Sequence, residues 1–256
     1  FNITVIFNDV KNNIETTNML VNNISIPNIF CYGNQNKYMI EHFINSNNFK
    51  IIINNKLNDY FNLDIKQKCI CICHNSMDSF NEILINNQKR ISQILTINQF
   101  HKNLLIHKGV NCDVGIYHNY IDLQQNKTSK RNQFTFKIAF IGRISHEKNV
   151  QNLIDGVNMF NSARRTHPIS LYIIGDNPDN KIKLVNISNN IIITGQISMD
   201  KIIEIYKSID YVISASITEG KPFSIVEAMC YGIPCIHTNI NGITELIKHD
   251  TNGFLF

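Results

Sequence analysis

The sequence predicts an α/β protein built on doubly wound parallel sheet. Two observations carry that expectation. Short runs rich in Ile and Val recur along the chain, and in residues 136–195 each of the first three ends at a glycine: Gly142, Gly175 and Gly195. Between such runs lie segments whose apolar residues return at i, i+3, i+4 and i+7, the spacing of one buried helix face.

In the first half, apolar runs end in polar turns at 28–32, 50–53, 69–73 and 114–117, with helical patterns at 37–44 and 100–107. A polar stretch at 124–133 reads as a linker. It divides the chain into an N-terminal domain, 1–130, and a C-terminal domain, 131–256. In the second half, 136–141 reads as a strand, followed by a helix that places Val150, Leu153, Ile154, Val157 and Phe160 on one face. Further strands are expected at 170–174, 191–194, 211–214 and 234–237, and helices at 199–209 and 224–231. Ligands of such a sheet bind beyond the carboxyl ends of its strands.

The 256 residues are 43% hydrophobic and 17% charged, a balance suited to a soluble globular protein. A formal charge of +4 falls short of a nucleic-acid-binding signature. No run approaches the length of about 18 apolar residues that a membrane span needs. Cys69, Cys71 and Cys73 alternate along one run, so they share a strand face, without zinc-ligand spacing. They read as buried reduced thiols, as in a cytosolic protein.

Three features sit at the expected strand ends. Gly142-Arg143 precedes Glu147-Lys148 and a helix start. A helix N-terminus favours anions, Arg143 offers a planar fork of donors and Lys148 a mobile point charge, a pair suited to a diphosphate. Alone, this reads more readily as a solvated basic turn. Glu219-Gly220-Lys221-Pro222 leads into a helix that carries Glu227, with Pro222 placed as the first helical residue. A carboxylate there can accept two hydroxyls of a ribose or hexose, or simply lie on an exposed face. Gly232-Ile233-Pro234 stops that helix, and Asn241-Gly242 with Glu245 follows; alone, these are packing features.

Taken in order, Gly142-Arg143 with Lys148, Gly175 to Pro178, Glu219 to Ala228, Gly232 to Pro234 and Asn241 to Leu246 resemble the family-four retaining glycosyltransferases of GT-B fold, also called glycosyl transferases group 1. The resemblance covers 136–256. It implies two Rossmann-like doubly wound domains facing a cleft. It also implies an N-terminal domain that is incomplete here, and a closing crossover helix that lies beyond Phe256. Asn119 to Asp122 look like the family's motif before the linker.

By the same resemblance, Arg143 and Lys148 hold the donor diphosphate, Glu219 lies near the donor sugar and Glu227 binds the ribose. Gly142 lies at the diphosphate turn, and Gly195 and Gln196 form the base-binding loop. Gly220, Lys221, Pro222 and Phe223 bring backbone groups near the phosphates. His74 matches a histidine on the acceptor side of the cleft, although a histidine at a strand end is as often structural. Asn177, Tyr120 and Asn241 stand where the family has glycine.

The implied activity is metal-independent transfer of a sugar from a nucleoside diphosphate-sugar, with retention, to a glycan, lipid or small-molecule acceptor. No cofactor, metal or nucleic acid is expected. The implied location is cytoplasmic, with peripheral contact at the cytosolic face of a membrane compatible with it. A dinucleotide-dependent oxidoreductase is disfavoured because no G-x-G-x-x-G occurs. The alternative is a catalytically silent module that keeps the fold as a binding or scaffold element.

Overall fold

Apolar runs that are covered on both faces pair as parallel strands, and the chain does this in two places. The computed structural model describes residues 5–8, 16–21, 24–32, 41, 45, 53–54, 61, 64–73, 78–118, 135–164, 166–178 and 181–256. In the first half, β1 (Val5–Asn8), β2 (Thr16–Val21) and β3 (Ile24–Tyr32) form a sheet of order β1-β3-β2, with β1 parallel and β2 antiparallel to β3. A second, parallel sheet joins β4 (Ile53–Asn54), β5 (Cys69–Cys73), β6 (Ile91–Thr96) and β7 (Asp113–Ile116) in sequence order. Helix α1 (Asp78–Asn87) links β5 to β6, and α2 (Gln99–His107) links β6 to β7.

The second half holds six parallel strands: β8 (Phe136–Ile141), β9 (Ile169–Ile174), β10 (Ile191–Gly195), β11 (Tyr211–Ser214), β12 (Cys235–His237) and β13 (Gly253–Leu255). Their spatial order is β10-β9-β8-β11-β12-β13. Counted within this half alone, that is 3-2-1-4-5-6, the dinucleotide-fold order, whose direction reverses between β8 and β11. Helices α3 (Val150–Ala163), α4 (Met199–Ser208) and α5 (Phe223–Cys230) connect the strands.

Alternation along each strand sends side chains to both faces, and a separate core forms on each. Ile138, Phe140, Leu171 and Ile173 pack against Val150, Leu153, Ile154 and Val157 of α3. Ala139, Ile174, Val212 and Cys235 pack against Tyr206, Ile225 and Ala228 of α4 and α5. Burying each large apolar side chain contributes roughly 1.5–3 kcal/mol, so this two-sided packing fixes the strand register. The sheet is therefore doubly wound as expected.

Several boundaries differ from the sequence reading. Pro222 is the N-cap of α5 rather than its first helical residue. Strands β1, β2, β6 and β13 and helix α1 were not expected, and antiparallel β2 departs from the parallel pattern. Phe160 is only half-buried, and it lines an apolar groove of about 430 Å³ beside Leu153, Ile213 and Phe256. The expected helix at 37–44 lies outside the described residues except for Glu41, as do the linker at 124–133 and the motif at 119–122.

Cys69, Cys71 and Cys73 are buried on one face of β5, as their alternation predicts, and they are free thiols. Burial pushes the Cys73 thiol up to about 12. A contact with the Cys69 sulfur, 3.5 Å away, raises Cys71 further. Among the described residues no helix is long and apolar enough to cross a membrane.

Candidate active site

The candidate site lies at the strand reversal, where the loops after β8 and β11 diverge and leave a crevice between them. On one side of it the ends of β8, β9 and β10 are laced together. The Gly142 N–H donates to the Ile174 carbonyl at 2.9 Å, and Gly175 N–H donates to Gly195 at 3.0 Å. A Cβ at Gly175 would fall 1.9 Å from the Gly142 oxygen, so the approach of these two turns requires glycine at 175. Asn177, where the resembled family has glycine, closes its own loop by exchanging two hydrogen bonds with the Ile182 backbone.

After Gly142 the chain forms a short 3₁₀ turn, His146–Lys148, and Asn149 adopts a left-handed conformation before α3 begins. The Ile217 N–H donates to the Glu147 carbonyl at 2.9 Å, which ties the β11 loop to this turn. That tie brings Lys148 Nζ to 2.5 Å from Glu219 Oε1, with side chains only 21% and 9% exposed. Arg143 lies farther out, 63% exposed, and donates to Glu147 at 3.0 Å. The Ser145 hydroxyl, and after it Glu147's own N–H and the Arg143 guanidinium, hold the Glu147 carboxyl below its ordinary value.

The turn Glu219–Lys221 then enters α5, whose N-cap Pro222 offers no capping side chain. The first N–H groups of this helix are therefore available to an anion. Glu227 lies one turn in. Its Oε2 accepts a hydrogen bond from the Tyr206 hydroxyl at 2.9 Å, and Tyr206 is itself fully buried and stacked on Tyr231. Burial first, and the Glu227 carboxylate second, push the Tyr206 phenol well above its ordinary value, so it stays a donor.

Beneath the ion pair, His237 at the end of β12 is fully buried. Its Nδ1 donates to the Thr238 carbonyl at 2.9 Å, which leaves Nε2 as a buried acceptor with no partner among the described residues. Burial lowers its basicity, opposed by Thr238 and Glu219 and assisted by Lys148. The Thr238 hydroxyl donates to the Ser216 carbonyl, and Ser214 and Ser216 share a 2.8 Å contact.

The structure thus joins Lys148 directly to Glu219, brings Arg143 near them through Glu147, and sets Glu227 on the helix that follows. Gly195 ends β10 with Gln196 exposed beside it, at the same edge of the sheet. His74 lies outside the described residues. Tyr206 and His237 escaped the sequence reading. Tyr206 lies inside the expected helix 199–209 and His237 at the end of the expected strand 234–237, and neither stands in a charged motif.

Residues 123–256 match the profile of the family described as glycosyl transferases group 1. The chain belongs to this family. An uncharacterized glycosyltransferase of Methanocaldococcus jannaschii is 30% identical over 123 residues, covering 45% of this chain and 30% of that protein. The UDP-Gal:alpha-D-GlcNAc-diphosphoundecaprenol alpha-1,3-galactosyltransferase of Escherichia coli is 30% identical over 132 residues, 49% of this chain and 33% of that protein. The chain thus spans about a third of the length of these curated relatives. The Anabaena HepE structure in complex with UDP superposes with a TM-score of 0.73 at 18% identity, covering 90% of this chain and 72% of that one. At that identity the likeness shows the fold, which is GT-B.

Proposed function

We propose that this chain carries the donor machinery of a retaining, metal-independent glycosyltransferase that moves a sugar from a nucleoside diphosphate-sugar to a glycan or lipid acceptor. The observation that carries the reading is the Lys148–Glu219 pair, held at the strand reversal beside the uncapped start of α5. As the glycosidic bond breaks, negative charge grows on the leaving diphosphate. Lys148, Arg143 and the α5 N–H groups stabilise it, the electrostatic service that a divalent ion supplies elsewhere. Glu227, fixed by Tyr206, accepts the ribose hydroxyls. Glu219 holds Lys148 in place at rest and faces the donor sugar once the diphosphate takes over that cation. The diphosphoundecaprenol substrate in the name of the Escherichia coli relative supports a lipid-linked acceptor.

The test is a melting experiment with UDP, GDP and ADP in EDTA buffer, followed by turnover of the matching nucleotide sugars. A ligand at a hundredfold excess over its dissociation constant stabilises by about 2.7 kcal/mol. For a chain of this size that is a shift of roughly 5–10 °C. A shift seen only with magnesium would refute metal independence. Binding of a nucleotide with no turnover of any sugar form would instead identify a silent module.

A further inference from the structure

Helix α2 belongs to the first half, yet its N-terminus is completed by the second. Every helix start leaves N–H groups without intrahelical partners. Here Asn98, the N-cap, accepts from His101 N–H through Oδ1 at 2.7 Å. The two N–H groups ahead of it, on Gln99 and Phe100, donate to Oε2 and Oε1 of Glu245, each at 3.0 Å. One carboxylate thus caps two donors from a position 146 residues away in sequence. A carboxylate suits this place twice over, since both oxygens accept and its charge faces the positive end of the helix dipole.

The other end of the Asn98 amide reaches the candidate active site. Its Nδ2 donates to the Gly220 carbonyl at 3.0 Å, and Asn98 is 1% exposed. Gly220 is the residue between Glu219 and Lys221. The crossing also explains Gly242, which otherwise looks like a loop residue. A Cβ at 242 would lie 2.7 Å from Asn98 Nδ2 and 2.9 Å from the Gly220 oxygen, so the glycine leaves room for that hydrogen bond. Lys221 adds a third crossing, its Nζ lying 3.2 Å from His118 Nδ1.

We infer that Asn98, Gly242 and Glu245 are positioning residues that seat the Glu219–Lys221 turn against the first half and so set the donor site for catalysis. Asn98 is buried, its amide spent on the His101 N–H and the Gly220 carbonyl. It acts on the carbonyl of Gly220, whose placement orients Glu219 on one side and the start of α5 on the other. Glu245 in turn holds α2, and with it Asn98, at the correct height. The spacing Gly242-x-x-Glu245 is what these two tasks require, one residue giving space to Asn98 and the other reaching the helix end. The inference rests on the donor-site reading above.

Chemistry separates the two jobs of Asn98. Aspartate and serine cap helices about as well as asparagine, but neither donates to Gly220: Asp lacks the N–H group and Ser lacks the reach. Asn98→Asp and Asn98→Ser should therefore keep the His101 amide protected from hydrogen exchange while residues 219–226 exchange faster. Donor KM, and the dissociation constant of UDP, should rise by about two- to tenfold, as expected for one lost hydrogen bond. Glu245→Gln presents one acceptor instead of two, so at least one of the Gln99 and Phe100 amides should lose protection. A merely structural role predicts a lower melting temperature with KM unchanged. Wild-type exchange in 219–226 for both Asn98 variants, or unchanged protection in Glu245→Gln, would overturn the inference. Should the unaltered protein bind none of UDP, GDP and ADP, the donor-site reading falls, and the exchange data alone decide whether the two halves are latched.

Discussion

Lys148 and Glu219 are each other's counter-ion in a site from which water is largely excluded, so removing either charge is felt by the other more than at an exposed pair. Lys148→Ala and Arg143→Ala should each slow turnover by about a hundred- to a thousandfold, because they remove donors preorganised for the departing diphosphate. Steady-state kinetics on folded variants checks this, and wild-type turnover in either would remove the electrostatic role. Arg143 is 63% exposed, so its loss should leave stability within about 1 kcal/mol. The two glutamates should part company. Glu227→Gln weakens binding of the bare nucleotide, whereas Glu219→Gln leaves it nearly intact and slows sugar transfer; calorimetry with UDP compares them. Tyr206→Phe should resemble a mild Glu227→Gln. His237 gives a pH dependence of known sign. Burial holds its imidazole below the ordinary 6.5, so below that pH the unfolded chain binds a proton that the folded one refuses. Its contribution is intact above 6.5 and is lost as pH falls toward the folded value. Wild type should therefore lose more stability than His237→Gln between about pH 7 and about pH 5, as read from denaturation midpoints; parallel curves would show that His237 is not the group responsible.

At the scale of elements, what the sequence made legible follows from burial. Strands β8, β9 and β11 read clearly because their apolar runs, covered on both faces, are broken only near an end, by Lys137, Ser170 and Ser214. Helix α3 read clearly because its buried face repeats at helical spacing. Strand β6 did not, since Ser92 and Gln93 interrupt it. Those side chains are satisfied by neighbouring strands, Ser92 by the Cys69 carbonyl and Gln93 by Asp113 at 2.5 Å. Such pairing is visible only once the sheet exists. Two glycines that look alike in sequence also separate. Gly175→Ala would drive a Cβ into the Gly142 carbonyl and should cost about 2–5 kcal/mol from overpacking and backbone strain. Gly156 sits inside α3 with nothing within 4 Å of an added Cβ, so Gly156→Ala should stabilise by roughly 1 kcal/mol. Chemical denaturation of the two variants should move in opposite directions, and a shift of the same sign would contradict the packing described for α3 and the Gly175 turn.

For the whole molecule, the β-α rhythm was enough to anticipate a doubly wound sheet, and the charged motifs were enough to mark the loops after β8 and β11 that the Lys148–Glu219 pair brings together. The joining of the halves was not legible. Asn98 meets Gly220 across 122 residues and Gln99 meets Glu245 across 146, separations at which no local periodicity speaks. That distance has a consequence during synthesis. Ribosomes add about 5–20 residues per second, so once Gln99 is made, roughly 7–30 s pass before Glu245 is added. Through that interval the nascent α2 exists without two of its terminal partners, and a short helix with open N–H groups frays. The start of α2 therefore settles only after the second half has been made, and chains stalled before Glu245 should be cut by protease near Gln99 where the finished protein resists.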